Sequence, residues 1–177
     1  MFVWCKKHRI KKKKQIIRIW TSKMPNIMKL MMNKYVSALF KDCNTCRNYG
    51  LIVLRIGIGY LILTNHGWDK LTAGPERWEG LGTFGMQHLG ITFLPVFWGF
   101  MAAFSESIGA IMIALGLGTR IGAGLLMITM LVGVNMHITT GKGSSEMALI
   151  YAFASAAIML TGAGDLSLDK ILFSKDK

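Results

Sequence analysis

Four stretches of this chain are apolar for long enough to cross roughly 30 Å of hydrocarbon, for which a helix needs about 20 residues. They lie near Tyr49–Trp68, Leu94–Leu117, Arg120–Thr140 and Ser145–Gly162. A soluble domain would break such blocks with polar positions every few residues. The expected fold is therefore an all-α membrane protein, a bundle of four transmembrane helices. Composition agrees, since 52% of the 177 residues are hydrophobic, 17% are charged and the mean hydropathy is +0.41. The breaks at Gly118–Thr119 and Gly141–Ser144 are tight, so helices two, three and four should be antiparallel neighbours. The long connection, Asp69–Phe93, mixes acids, bases, glycines and Trp78. It reads as one short interfacial helix around Arg77–His88, lying in the headgroup region between helices one and two.

Charge sets the expected orientation. Residues 1–50 hold 13 Lys or Arg against the single acid Asp42, while the rest of the chain balances, so the formal net charge of +12 sits before the first apolar block. Basic residues flanking membrane helices stay on the cytoplasmic side. That places both termini in the cytoplasm, with Arg120 at the second connection inside as well and the last segment, Asp165–Lys177, carrying Lys170, Lys175 and Lys177. In a soluble protein a pI near 9.9 would suggest nucleic acid; beside membrane helices the same charge meets anionic lipid, and no nucleic-acid partner is expected. The domain reading is a basic cytoplasmic segment over 1–48, a four-helix membrane domain over 49–172 and a short cytoplasmic tail over 173–177. The first thirty residues show no apolar period that could pack on a bundle, and Met24, Met28, Met31 and Met32 offer later starts, so translation is expected to begin there. No cleavable signal peptide is expected, because Lys11–Lys14 is followed by a short mixed stretch. Cys5, Cys43 and Cys46 share the basic segment and should stay reduced thiols in the cytoplasm, and the Cys43–Cys46 spacing lacks the second ligand pair that a metal site would need.

Each ionisable side chain at membrane depth needs a partner or a purpose, since insertion costs about 2.5–3.5 kcal/mol. Arg55 in helix one and Glu106 in helix two are expected to form a structural ion pair. On helix one, Arg55, Gly59, Ile62, His66 and Asp69 recur at helical spacing, forming one inward stripe whose outer end is polar. Asn135 and His137 end helix three at that outer level and Glu146 begins helix four there. His66, His137, Glu106, Asn135 and Asp69 are thus the candidate lining of a ligand pocket. A metal site on His66, His137 and Glu146 fits by ligand type, but ligands on three helices cannot be set by spacing, and no metal is assigned.

Four segments together resemble the DoxX family of small bacterial and archaeal membrane proteins: LRIGIGYLILTNHGWDKL (Leu54–Leu71), LGITFLPVFWGFMAAFSESIGAIMIALGLGTRIGA (Leu89–Ala123), VNMHITTGKG (Val134–Gly143) and GAGDLSLDKIL (Gly162–Leu172). The resemblance covers Leu51–Leu172. It puts Glu106 and His137 in the family's glutamate and histidine positions, and it implies a multi-pass protein of the bacterial cytoplasmic membrane. It also implies a subunit of a respiratory or redox-defence complex. Such a subunit would contribute a quinone site, with His66, His137 and Glu106 supplying hydrogen bonds and proton exchange, but carry no electron cofactor of its own. Its partners would be membrane lipid, redox proteins and, as one option, further copies of itself. Two other readings use the same features: a carrier or binder of a small apolar or lipid-like molecule, and a scaffold that recruits soluble proteins through its basic segment.

Overall fold

The structure, a computed structural model, describes residues 43–173. Cys5, the alternative starts at Met24–Met32 and most of the basic segment lie outside the described residues, as does the tail beyond Phe173. All regular structure among the described residues is helical. Helix α1 spans Asn44–Thr72, α2 Pro75–Met86, α3 Pro95–Leu115, α4 Thr119–Thr140, α5 Glu146–Thr161 and α6 Leu168–Phe173. Helices α1, α3 and α4 are long and apolar enough to cross a membrane, and α5 is a shorter apolar helix of 16 residues. Pro75 and Pro95 open α2 and α3, where the missing proline N–H costs nothing and the fixed φ suits the first turn. Between α3 and α4 the chain reverses through Gly116 (φ 72°) and Gly118 (φ 56°), left-handed values that residues with a Cβ adopt only under strain.

Glycines set how far the helices slide past one another. A Cβ on Gly59 would collide with the Ala110 carbonyl and the Ala114 side chain, and one on Gly67 would collide with the Glu106 backbone. The α1 and α3 backbones therefore touch at two levels, antiparallel, as small residues allow in membrane bundles. A second glycine pair does the same for α2: Gly82 lies on the Pro95 carbonyl and Gly99 on the Trp78 backbone. The connection does hold a helix, and it runs antiparallel along the first half of α3, with Trp78 packed edge-on against Phe100 at 5.0 Å. Ile62, Ile113, Leu126 and Ile158 are fully buried at the centre of the bundle. Large apolar side chains also point outward, among them Val53 at 73% exposure and Leu160 at 76%. In water such a surface would be an aggregation liability; against lipid it is the surface that is needed.

Two helices contain π-helical turns, Leu63–Gly67 in α1 and Ser105–Gly109 in α3, and the Gly67–Glu106 contact stacks one on the other. A π turn holds one residue more than an α turn. The inward stripe of α1 is therefore displaced by one position beyond Ile62: it runs Arg55, Gly59, Ile62 and then Gly67 and Lys70, which turns Asp69 outward and leaves the exposed His66 at the edge of the stripe. Asp69 is exposed.

After α5 the chain folds back under the bundle. The Asp169 carboxylate accepts the N–H groups of Gly118 (2.6 Å) and Thr119 (3.0 Å), and the Asp169 N–H donates to the Gly116 carbonyl at 2.8 Å. The first N–H groups of a helix lack intrahelical partners, so Asp169 caps α4 from 50 residues away in sequence. Arg55, only 2% exposed, donates from Nη2 to the Leu166 carbonyl at 2.7 Å, and Asn48 donates to the Asp165 carboxylate at 2.7 Å. Partial burial works to raise the Asp169 carboxyl, but the Thr119 and Gly118 N–H groups and the Arg55 charge outweigh it and hold the group below the ordinary carboxylate range.

Gly82→Ala should reduce thermal stability in detergent by about 1–3 kcal/mol, the usual cost of overpacking. Gly80→Ala, on the same helix with nothing within 4 Å of its added methyl, should be neutral or stabilising by up to about 1 kcal/mol. Equal effects in the two variants would mean that the α2–α3 contact is not close. The lowered Asp169 carboxyl fixes a second expectation. The folded chain binds that proton less readily than the unfolded chain, so this capping contributes stability above about pH 4 and loses it as pH falls further through the depressed folded value. A thermal-unfolding series from pH 6 to pH 2.5 should show this loss, and Asp169→Asn should be less stable at pH 6 with a flatter acid response.

Candidate functional site

Glu106 sits within the π turn of α3 and is 4% exposed. Lys70 reaches it from the C-terminal end of α1, with Nζ 2.5 Å from Oε2. This corrects the pairing of Glu106 with Arg55 expected from the sequence. Gly67 lies on Glu106 whereas Arg55 lies beside Gly116; the 12 residues from Arg55 to Gly67 amount to about 18 Å along a helix. No arginine spans that distance. Lys70 itself is held by Trp78, whose indole Nε1 donates to the Lys70 carbonyl at 2.8 Å. The turn into α2 and the salt bridge are therefore built by the same residue.

Around this pair lies a cavity of about 260 Å³. His66 and Lys70 come from α1, Leu81 and Gly85 from α2, Ala102 and Glu106 from α3, Thr129, Met130, Met136 and His137 from α4, and Met147, Ala148 and Tyr151 from α5. Five helices thus contribute, and the wall is mostly apolar with a few polar groups, the usual composition of a small-molecule site. His137 Nδ1 lies 2.7 Å from the Lys142 carbonyl. A carbonyl only accepts, so Nδ1 carries the proton and Nε2 of the neutral ring is left as an acceptor. Ser105 and Thr129 share a 2.6 Å hydrogen bond between hydroxyls on facing helices, which ties α3 to α4 beside the carboxylate.

Of the residues singled out in the sequence, the structure brings His66, Glu106 and His137 to this lining. Asn135 and Asp69 are not on it: the Asn135 amide nitrogen is buried without a partner, and Asp69 faces outward after the π turn. Lys70 and Tyr151 line the cavity but were not foreseen. Tyr151 could have been found, because it is a hydroxyl-bearing aromatic one turn from Ala148 and Ser155 on the small-residue face of helix four. Arg55 lies outside the cavity and serves the C-terminal segment. Among the described residues, no three His, Cys, Asp or Glu are grouped to hold a metal ion.

The DoxX family model matches residues 50–138, a span that contains His66, Lys70, Glu106 and His137. An uncharacterized protein of Haemophilus influenzae is 31% identical over 137 residues, covering 73% of this chain and 95% of that protein. The Bacillus subtilis protein named "Putative oxidoreductase CatD" is 30% identical over 131 residues, covering 72% of this chain and 90% of its own length. No solved structure matches significantly.

The ion-pair assignment is open to a double-mutant cycle on thermal stability. Glu106→Gln strands the Lys70 ammonium in a largely apolar site, and Lys70→Met strands the carboxylate. Each single change should cost about 1–3 kcal/mol, less than a fully buried pair because Lys70 is partly exposed. The double variant should recover at least about 1 kcal/mol of the summed loss. A cycle between Arg55 and Glu106 should show additivity; coupling there and none with Lys70 would reverse the assignment.

Proposed function

The chain belongs to the DoxX family, and from that premise we propose that this multi-pass membrane protein is a subunit of a membrane redox system that holds a quinone-type ligand beside Lys70 and Glu106. The observation that carries the reading is the cavity itself: apolar walls, a buried carboxylate paired with an ammonium, and an imidazole whose free nitrogen is fixed by its other hydrogen bond. The bundle would cross the bilayer four times, through α1, α3, α4 and α5, with the basic ends of the chain in the cytoplasm of a bacterial cell and α2 standing at the outer surface beside α3. Helix α5 covers about 24 Å at 1.5 Å per residue, so its flanks at Ser145 and Gly162 would complete that crossing.

A quinone carbonyl needs donors, and its reduced form needs acceptors for two hydroxyl groups. The Lys70 ammonium supplies a donor, Glu106 an acceptor, and His137 Nε2 an acceptor that becomes a donor once the ring is protonated. When bound, the quinone supplies two-electron, two-proton chemistry, with the electrons coming from a partner protein. At about 260 Å³ the cavity lies below the roughly 300–1,000 Å³ of sites that enclose drug-sized ligands. One substituted ring fits, and an isoprenoid tail would lie outside it, against the apolar helix faces. The oxidoreductase in the name of the Bacillus subtilis relative supports the redox reading. A carrier of other apolar molecules would use the same walls without need of the polar groups.

His137→Ala should weaken binding of a short-tailed quinone by up to about tenfold, the worth of one directed hydrogen bond, with little change in thermal stability. Tyr151→Phe, which keeps the packing, is a milder companion. Affinity unchanged in both, or displacement of the quinone by a ring-free hydrocarbon at equal concentration, would replace the quinone reading with the carrier.

A further inference from the structure

The opposite end of the bundle carries a second hollow, about 510 Å³, between the start of α4, the end of α5 and α6. Two cations line it, Arg120 and Lys170, together with the apolar Ile121 and Phe173. Lys170 is paired with Asp165, and Asp169 spends its carboxylate on the Gly118 and Thr119 N–H groups. Arg120 is exposed and has no ion pair among the described residues. The hollow therefore presents one uncompensated guanidinium, a group with forked donors suited to phosphate oxygens. Its rim is unlike that of a site for a soluble anion, because Ile121 is 67% exposed and Phe173 73% exposed. On α5, the residue before the lining Thr161 is Leu160, an apolar side chain 76% exposed. Arg120 lies one residue inside the end of a membrane-length helix, which is headgroup depth in a bilayer.

We infer that this hollow is a binding site for an anionic phospholipid, with the phosphodiester against Arg120 and Lys170 and an acyl chain laid over Ile121 and Leu160. A free phosphate shares the charge but leaves the apolar rim unused, so the occupant is the lipid. The site would fasten α4, α5 and the C-terminal segment to one leaflet at the end of the bundle remote from the Lys70–Glu106 cavity.

The test is photocrosslinking of the full chain in phosphatidylcholine vesicles containing trace diazirine-tailed phosphatidylglycerol or, in parallel, diazirine-tailed phosphatidylcholine, with labelled peptides mapped by mass spectrometry. Peptides containing Ile121, Leu160 or Phe173 should be labelled preferentially by the anionic lipid. Arg120→Gln should lower that labelling about fivefold, the usual contribution of one basic residue near an anionic surface, while labelling of peptides before Cys43 stays unchanged. Arg120→Lys should restore most of it, and an unchanged unfolding temperature in both variants excludes misfolding as the cause. Equal labelling by the two lipids, or labelling that persists in Arg120→Gln, overturns the site. Competition by millimolar inorganic phosphate also overturns it, by assigning the hollow to a soluble anion.

Discussion

A carboxylate in the middle of an apolar helix must be neutralised from somewhere, and much of this structure follows from how Glu106 is served. Lys70 can reach it only because α1 continues past its apolar block to Thr72 and because the π turn at Leu63–Gly67 rotates position 70 inward. Gly67 lets the two backbones come close enough for the bridge to close. Trp78 then fixes the Lys70 backbone, and the Gly82–Gly99 contact holds α2, which carries Trp78, against α3. Polar neutralisation and close packing are in this way one arrangement, and the cavity is the space left beside it.

Much of this was legible in the sequence, and the failures share a cause. The four apolar blocks locate α1, α3, α4 and α5 to within a few residues, because in lipid only a fully hydrogen-bonded helix can present so long an apolar surface. Glu106 and the two histidines stood out because ionisable groups are costly at that depth. Asp69 and the Arg55–Glu106 pairing failed because the reading assumed an unbroken 3.6-residue period and aligned the helices by the ends of their apolar blocks. A π turn breaks the first assumption, and glycine contacts decide the second. Neither is encoded in hydrophobic spacing. The return of Asp165–Asp169 onto Asn48, Arg55 and the start of α4 was hidden for another reason, since those hydrogen bonds join residues 50 to more than 100 positions apart.

The two ends of the bundle use charge differently. At the end where α1 begins, Arg55 is buried and its charge is met by the Leu166 carbonyl and by Asp169, so this arginine closes the structure and stands apart from the lining of the hollow that holds Arg120. At the other end the charges and imidazoles border open space. A buried pair is weak evidence for stability when an apolar core would do as well. Keeping Lys70 and Glu106 beside a cavity is more readily understood as binding chemistry, which is the basis of the proposed function.

The most direct test follows the histidine side chains. In the chain labelled with nitrogen-15 at histidine and held in detergent or nanodiscs, titration with a short-tailed quinone should shift the ring nitrogens of His137 most and those of His66 next, since both line the cavity. The ring of His88, which packs against Phe84 outside it, should stay where it is. Shifts confined to His88, or none at all at saturating quinone, would contradict the central claim that the Lys70–Glu106 cavity is a quinone site.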